Sequence, residues 1–257
     1  MNILCVGDVI GSVGTAFLRK NIRRIKQEHA VDICIVNGEN SADTNGITPD
    51  SASALLDCGA DMITTGNHSY QRRESYDLYE DSTVPVLRPA NFPDLCPGRG
   101  YDIIDKGRYR VAVVNLMGLV GMFESLACPF ETADRLLESI DTKYIVVDFH
   151  AEATAEKRAL AEYLDGRVSC LFGTHTHVQT ADEQILTGGT GFITDVGMTG
   201  PIHSVIGARI DAAVSHMRSH MPTRLEYADG DCMINAVLFT LDEKTGKTTK
   251  VERIDVR

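Results

Sequence analysis

Seven side chains of metal-binding type, Asp8, Glu39, Asn40, Asn67, His150, His175 and His177, occur in short clusters that each follow an apolar run. The clusters read Gly7-Asp8, Asn37-Gly38-Glu39-Asn40, Gly66-Asn67-His68, Asp148-Phe149-His150 and Gly173-Thr174-His175-Thr176-His177. Carboxylate, amide and imidazole donors suit divalent cations. Glycine in four of the five clusters lets the backbone turn sharply and approach an ion closely. Each cluster alone has an ordinary explanation. Asp8 could cap a helix, Glu39-Asn40 a loop, and Asn67-His68 could form a turn. His150 could be a hydrogen-bonded core histidine. Packing does not explain why five apolar runs all end this way, so the pattern points to a metal site. His175 and His177 are two residues apart. On an extended segment their rings would share one face, about 6.6 Å apart, which suits two neighbouring ions better than one.

The elements that would position these residues are short strands alternating with helices. Asn2–Val6, Asp32–Asn37 and Asp61–Thr65 read as strands, with an amphipathic helix over Val13–Glu28 and a second from Thr48-Pro49 to about Cys58. Gln71–Tyr79 reads as helical. Tyr101–Asp105 and Arg108–Leu116 predict a hairpin around Lys106-Gly107. Helices over Glu131–Ile140 and Thr154–Leu164 flank a strand at Tyr144–Asp148. Ser169–Phe172 and Gly191–Thr194 follow as short strands. Ile206–Met221 is predicted helical. Arg224–Ala228 and Cys232–Leu241 are predicted to pair around Asp229-Gly230, and Thr248–Val256 closes the chain. Met117–Pro129 is a long aperiodic loop, either a lid or a cover for core. With no repeat or linker, the reading is one α/β domain over residues 1–257 with mixed sheets. In such sheets ligands bind at the carboxyl ends of the strands, where the clusters fall.

The 257 residues carry 36 acidic and 25 basic side chains, a formal charge of -11. Without a basic stripe, binding to duplex nucleic acid is disfavoured. A phosphate substrate would meet a repulsive field unless bound metals reversed it locally. None of the seven cysteines forms a C-x-x-C pair, which reads as buried thiols in a reducing, cytoplasmic setting. No secretory signal or membrane-spanning run is evident, so no membrane partner is expected; a homo-oligomer is left open. Gly7, Gly11 and Gly14 do not match G-x-G-x-x-G, and no P-loop occurs.

Taken in order, GDVIG, NGEN, GNHS, the strand-ending His150 and GTHTH resemble the calcineurin-like metallophosphoesterase superfamily. Ile10 stands where that pattern has a histidine, Glu39 where it has an aspartate, and Ser69 where it has an acid. With GENSADTNG, RPANFP at 88–93, DFHAEATAEK at 148–157, GTHTHVQTAD at 173–182 and ITDVGMTGP at 193–201, the chain resembles the YmdB-type phosphoesterases over nearly its whole length. The resemblance implies a four-layer α/β/β/α sandwich of two mixed sheets with two metal ions, iron or manganese. It places Asp8, Asn40 and His177 on one ion and Asn67, His150 and His175 on the other, with Glu39 between them. Asn40 takes the place of the ligand lost at Ile10.

The implied activity is phosphodiester hydrolysis of cyclic nucleotides, 2′,3′-cyclic ahead of 3′,5′-cyclic, by metal-activated hydroxide with His68 as general acid. The partner would be a small-molecule phosphoester. The alternatives are a phosphomonoesterase, either nucleotidase or protein phosphatase, and a metal-containing regulatory binding protein. Thr176, Asp148 and Glu152 are candidates to orient imidazoles, with ordinary surface or capping roles an equal alternative for each. Arg88 and Asn91 are read as loop-shaping residues ahead of contacts to a substrate phosphate or base, and Asp195 as a structural acid whose strand-end position leaves room for a role near the site.

Overall fold

The chain, described over residues 1–257 by a computed structural model, begins with β1 (Asn2–Val6), buried after its first residue. The short β2 (Asp8–Val9) leads into α1 (Gly11–Glu28), which turns Leu18, Ile22 and Ile25 inward at helical spacing. Next come β3 (Ile33–Asn37), α2 (Pro49–Asp57), β4 (Met62–Thr64) and α3 (Glu74–Glu80). The α2 start follows the sequence expectation: Pro49 occupies the first turn and Ser51 N donates to Thr48 Oγ1 at 3.2 Å. The hairpin of β5 (Tyr101–Asp105) and β6 (Arg110–Met117) precedes α4 (Pro129–Ser139), β7 (Tyr144–His150), α5 (Thr154–Tyr163) and β8 (Cys170–Thr174). The chain ends with β9 (Gln184–Ile185), β10 (Gly191–Ile193), β11 (Met198–Pro201), α6 (Ile210–Ser219), β12 (Cys232–Leu241) and β13 (Thr248–Val256).

One sheet runs β2-β11-β12-β1-β3-β4, with β13 on the other edge of β12. Its β1, β3 and β4 are parallel, and β12 is antiparallel to β1, β11 and β13. The second sheet runs β5-β6-β7-β8-β10-β9, with a parallel centre and antiparallel edges. Alternation along the strands sorts side chains into layers. Ile3 and Cys5 of β1 join Val111, Val146 and Phe172 in the core between the sheets. Leu4 and Val6 face the other way, onto Leu18 and Ile22 of α1 and Leu55 of α2. On the far side, Val147 and Phe149 of β7 pack on Leu160 of α5. The result is the expected α/β/β/α sandwich. No helix is long and apolar enough to cross a membrane. All seven cysteines are unpaired, and Cys5, Cys34 and Cys170 are buried.

Two expectations fail. Arg224–Ala228 is not a strand beside β12, because β1, β11 and β13 fill both edges of β12; Tyr227 makes one bridge, to Ala208. The helix expected from Ile206 begins only at Ile210, since Ile206 and Gly207 have φ of 47° and 102°, outside the helical region. The Met117–Pro129 loop is tied down near both ends. Asn91 Nδ2 donates to Met117 O at 2.8 Å and Ala127 O at 3.1 Å.

Candidate metal centre

The carboxyl ends of the parallel strands of both sheets meet. Asn37, last in β3, donates to Asp148 Oδ2 of β7 at 3.1 Å and to Thr174 Oγ1 of β8 at 3.3 Å. The seven sequence-nominated side chains lie around this junction. His150 Nε2 is 3.2 Å from Glu39 Oε2, 2.9 Å from Asn67 Oδ1 and 3.1 Å from His175 Nδ1. His177 Nε2 is 3.6 Å from Asp8 Oδ1 and 3.3 Å from Asn40 Nδ2. Glu39 reaches both groups, with Oε1 accepting from Asn40 Nδ2 at 3.1 Å. His68 sits alongside, its backbone N–H donating to Glu39 Oε2 at 3.3 Å.

Close approach makes this convergence possible. A Cβ on Gly66 would fall 2.1 Å from His150 Cδ2 and 2.4 Å from Glu39 Oε2. His175 and His177 are not on an extended strand: β8 stops at Thr174, and their φ values are 96° and 63°. The expected strand spacing therefore does not apply. The turn sends the His175 ring to His150 and the His177 ring to Asp8.

A second layer holds these rings. His150 Nδ1 lies 2.9 Å from Thr174 Oγ1, which donates to Asp148 Oδ1 at 2.7 Å. His175 Nε2 is 3.2 Å from Glu152 Oε2. Thr176 Oγ1 donates to Asp195 Oδ2 at 2.8 Å, and Gly197 N to Asp195 Oδ1 at 2.8 Å. Glu152 contacts the His175 ring directly and Asp148 reaches the His150 ring through Thr174, whereas the Thr176 hydroxyl goes to Asp195 rather than to an imidazole. Asp195 braces the His175–His177 turn. Asn91 shapes its loop as expected, and Arg88 Nη1 donates to Pro89 O at 2.9 Å.

Two residues of this layer escape a reading of the sequence. Fully buried Lys157 donates from Nζ to Asp195 Oδ2 at 2.7 Å and to Thr174 O at 2.8 Å. Its only signal is a lysine on the inward face of a helix. Tyr227 Oη donates to Asn45 Oδ1 at 2.8 Å and lies 3.4 Å from Asn40 Oδ1.

The electrostatics fit a cation. Burial pushes the Asp8 carboxyl up, but His177 and His150 outweigh it and hold it below the usual range. Burial likewise opposes ionisation of Glu39, and His150 reverses that. Burial lowers His177, yet Asp8 beside it lifts the ring to about 9. His150 is raised in the same way, chiefly by Glu39 against burial. His175, partly buried and next to His150, falls to about 4. The buried carboxylates of Asp8 and Glu39 thus depend on His177 and His150 for positive charge, a part that a metal ion would take over. Asp8 Oδ1 is buried and accepts no hydrogen bond. Glu39, His150 and His175 bring their ligand atoms within 4.8 Å of one another.

The site opens into a cavity of about 350 Å³ lined by Glu39, Asn40, His68, His175 and His177, with Asn45, Glu152 and Thr176 beside them. Ile206, Ala208, Leu225 and Tyr227 form the rest of its wall. No lysine or arginine lines it.

The chain resembles known proteins over its whole length. The chain is 42% identical over 257 residues to a 2′,3′-cyclic-nucleotide 2′-phosphodiesterase of Bacillus subtilis (strain 168), covering 99% of this chain and 96% of that protein. A crystal structure of a hypothetical protein from Thermus thermophilus matches with a TM-score of 0.94 at 36% identity, covering 100% of this chain and 99% of that one. A crystal structure of a phosphatase from Mycoplasma pneumoniae matches with a TM-score of 0.93 at 31% identity, covering 100% and 93%. Residues 4–254, which include every strand end at the site, match the family described as YmdB-like protein, and the chain belongs to that family.

Proposed function

We propose that this chain is a dinuclear-metal phosphodiesterase that hydrolyses cyclic nucleotides, 2′,3′-cyclic first and 3′,5′-cyclic second. The observation that carries the proposal is the convergence of seven donors from both sheets, four of which (Glu39, Asn40, His175 and His177) face the same cavity as His68. The name of the Bacillus subtilis relative supports the substrate class.

In this reading Asp8, Asn40 and His177 would hold one ion and Asn67, His150 and His175 the other, with Glu39 a ligand available to both. The contacts that support this partition are His177 with Asp8 and Asn40, His150 with Asn67 and His175, and Glu39 with both sets. As a ligand Asn40 must present its amide oxygen. That means turning the amide over and giving Tyr227 Oη the nitrogen instead. Iron or manganese is the proposed metal. Two adjacent ions would polarise a phosphoryl oxygen and activate water. His68 donates a proton to the leaving oxygen from a position anchored on Glu39. The Asp148–Thr174 relay holds the His150 ring.

Charge favours a diester over the phosphomonoesterase alternative. A monoester is close to a dianion at neutral pH and a diester is a monoanion. The cavity offers no lysine or arginine, and Glu152 adds a carboxylate at its edge. Phosphate attraction therefore falls to the metals alone, and the second charge of a monoester has no further cation to meet. Unpaired cysteines accord with a cytoplasmic setting.

The test loads the protein separately with iron, manganese and zinc. It ranks kcat/KM on 2′,3′-cyclic nucleotides, 3′,5′-cyclic nucleotides and nucleoside monophosphates. The highest value is expected on a 2′,3′-cyclic nucleotide. A monoester in first place would make the protein a phosphomonoesterase, and no turnover on any of them would point to a regulatory binding protein.

A further inference from the structure

The cavity has two unlike halves. Its polar half holds the metal-binding groups. Its other half is Ile206, Ala208, Leu225 and Tyr227, all from the single stretch joining β11 to β12. Ile206 and Leu225 are aliphatic yet 51% and 44% exposed. A cavity of about 350 Å³ is far larger than a phosphate group requires, and aliphatic side chains give a phosphate nothing to bind.

This wall is built, not incidental. His177 Nδ1 lies 2.8 Å from Ile206 O, so a proposed metal ligand holds the residue that begins the wall. Ile206 carries a positive φ of 47°, costly for a β-branched residue and tolerated where surrounding contacts impose it. Ala208 pairs with both Val205 and Tyr227 through backbone bridges. Tyr227 is fixed at its hydroxyl by Asn45, which leaves its ring as one side of the cavity. The apolar surface is thus tied to the metal centre at His177 and at the Asn40–Tyr227 contact.

We propose that Ile206, Ala208, Leu225 and the Tyr227 ring form the subsite that receives the nucleobase and supplies the preference for a nucleoside cyclic phosphate over a bare sugar cyclic phosphate. This rests on the phosphodiesterase reading. The subsite grips the faces of the base and does not read its edge. The wall itself is aliphatic and aromatic; its one side-chain polar atom, Tyr227 Oη, already donates to Asn45 Oδ1 at 2.8 Å and accepts from Asn45 N at 3.1 Å. Purines and pyrimidines are therefore both accepted, with purines ahead through their larger apolar area.

The test compares adenosine 2′,3′-cyclic phosphate with methyl riboside 2′,3′-cyclic phosphate on the manganese-loaded full chain. The nucleotide is expected to lead in kcat/KM by about tenfold or more, mainly through KM. In Leu225→Ser and Ile206→Thr that ratio falls severalfold. A wild-type ratio near one, or a ratio unmoved in both variants, overturns the proposal. Both side chains are half exposed, and circular dichroism verifies folding. A second measurement needs no turnover: calorimetric binding of adenosine to the metal-loaded protein. Binding that weakens about tenfold in Leu225→Ser supports the subsite even if no cyclic diester is cleaved, so failure of the phosphodiesterase reading remains distinguishable. Equal binding to wild type and variant overturns the subsite.

Discussion

Replacing Lys157 with Met tests how the candidate centre is held, at a residue that touches none of the proposed ligands. Lys157 is fully buried and pairs with Asp195, also buried, at 2.7 Å. Removing one partner of a buried ion pair typically costs about 3–5 kcal/mol, because the other charge is left uncompensated. Asp195 would keep its bonds from Thr176 Oγ1, Thr176 N and Gly197 N. That favours the lower end, about 3 kcal/mol. For a chain of this length, about 2–4 °C is lost per kcal/mol, so the melting temperature should fall by about 6–12 °C. Calorimetry and urea unfolding of the metal-free protein measure this directly.

The substitution has a second consequence. Lys157 Nζ and Asp195 together brace Thr174 and Thr176, the residues flanking His175. Metal affinity should therefore fall by about 10–100-fold, the usual effect of losing outer support. The double variant Lys157→Met/Asp195→Asn removes both charges. It should be less destabilised than the sum of the two single variants by about 1–3 kcal/mol. A loss below about 1 kcal/mol with unchanged metal affinity would refute the bracing role.

Gly66→Ala would place a methyl group 2.1 Å from His150 Cδ2 in a fully buried setting, so metal content should drop and kcat/KM fall by about 100-fold; normal activity would show that His150 and Glu39 can yield. His68→Ala should keep its metal content by elemental analysis yet lose about 10²–10⁴-fold in kcat on a cyclic nucleotide, and full turnover would remove His68 as proton donor. Chelation should abolish hydrolysis and leave the far-ultraviolet circular dichroism intact, because the core between the sheets is apolar and lies apart from the metal-binding side chains; unfolding on chelation would contradict this. Glu152→Gln removes the carboxylate at the cavity edge and should raise the monoester-to-diester kcat/KM ratio by about fivefold, roughly 1 kcal/mol; an unchanged ratio would discount the charge argument for diesters.

How much of this is legible in the sequence depends on whether a signal is local. β1, β3 and β7 are short apolar runs ending in polar clusters, and the five strand ends can be read one after another. The Thr48-Pro49 helix start is likewise a local chemical signal that the capping geometry matches. Pairing is a different matter. Arg224–Ala228 has strand-like neighbours, but whether it joins β12 depends on β1, β11 and β13, two of them distant in sequence. The His175–His177 turn departs from the extended expectation for a related reason. Its left-handed φ values depend on Asp8, Asp195 and the end of β8, and the two acids are not adjacent to it in sequence. Lys157 is hidden because a lysine on a helix is ordinarily solvated, and only the fold shows that its amine reaches Asp195.

Where the backbone is strained explains why those hidden residues matter. Seven non-glycine residues have positive φ, and five of them, Thr44, Asn45, His175, His177 and Ile206, lie on the loops around the cavity. Such conformations cost about 1–3 kcal/mol each and persist only where neighbours impose them. Each has an identifiable restraint. Arg72 donates to Asp43 O at 2.7 Å and to Asn45 O at 3.0 Å, and Tyr227 holds Asn45 from the opposite side. Asp195, backed by Lys157, holds the residue between the two histidines, while Asp8 Oδ2 accepts the His175 backbone N–H at 3.2 Å. The His177 ring holds Ile206. Arg72 and Lys157 supply no proposed metal ligand, and Tyr227 only touches one. Their chemistry is that of clamps on strained turns, which resemblance to a metal-binding motif cannot reveal. The ligand types specify what the site can bind. The clamps determine whether those ligands point at one place, so changes at Arg72 or Lys157 should act on metal affinity before they act on the chemical step.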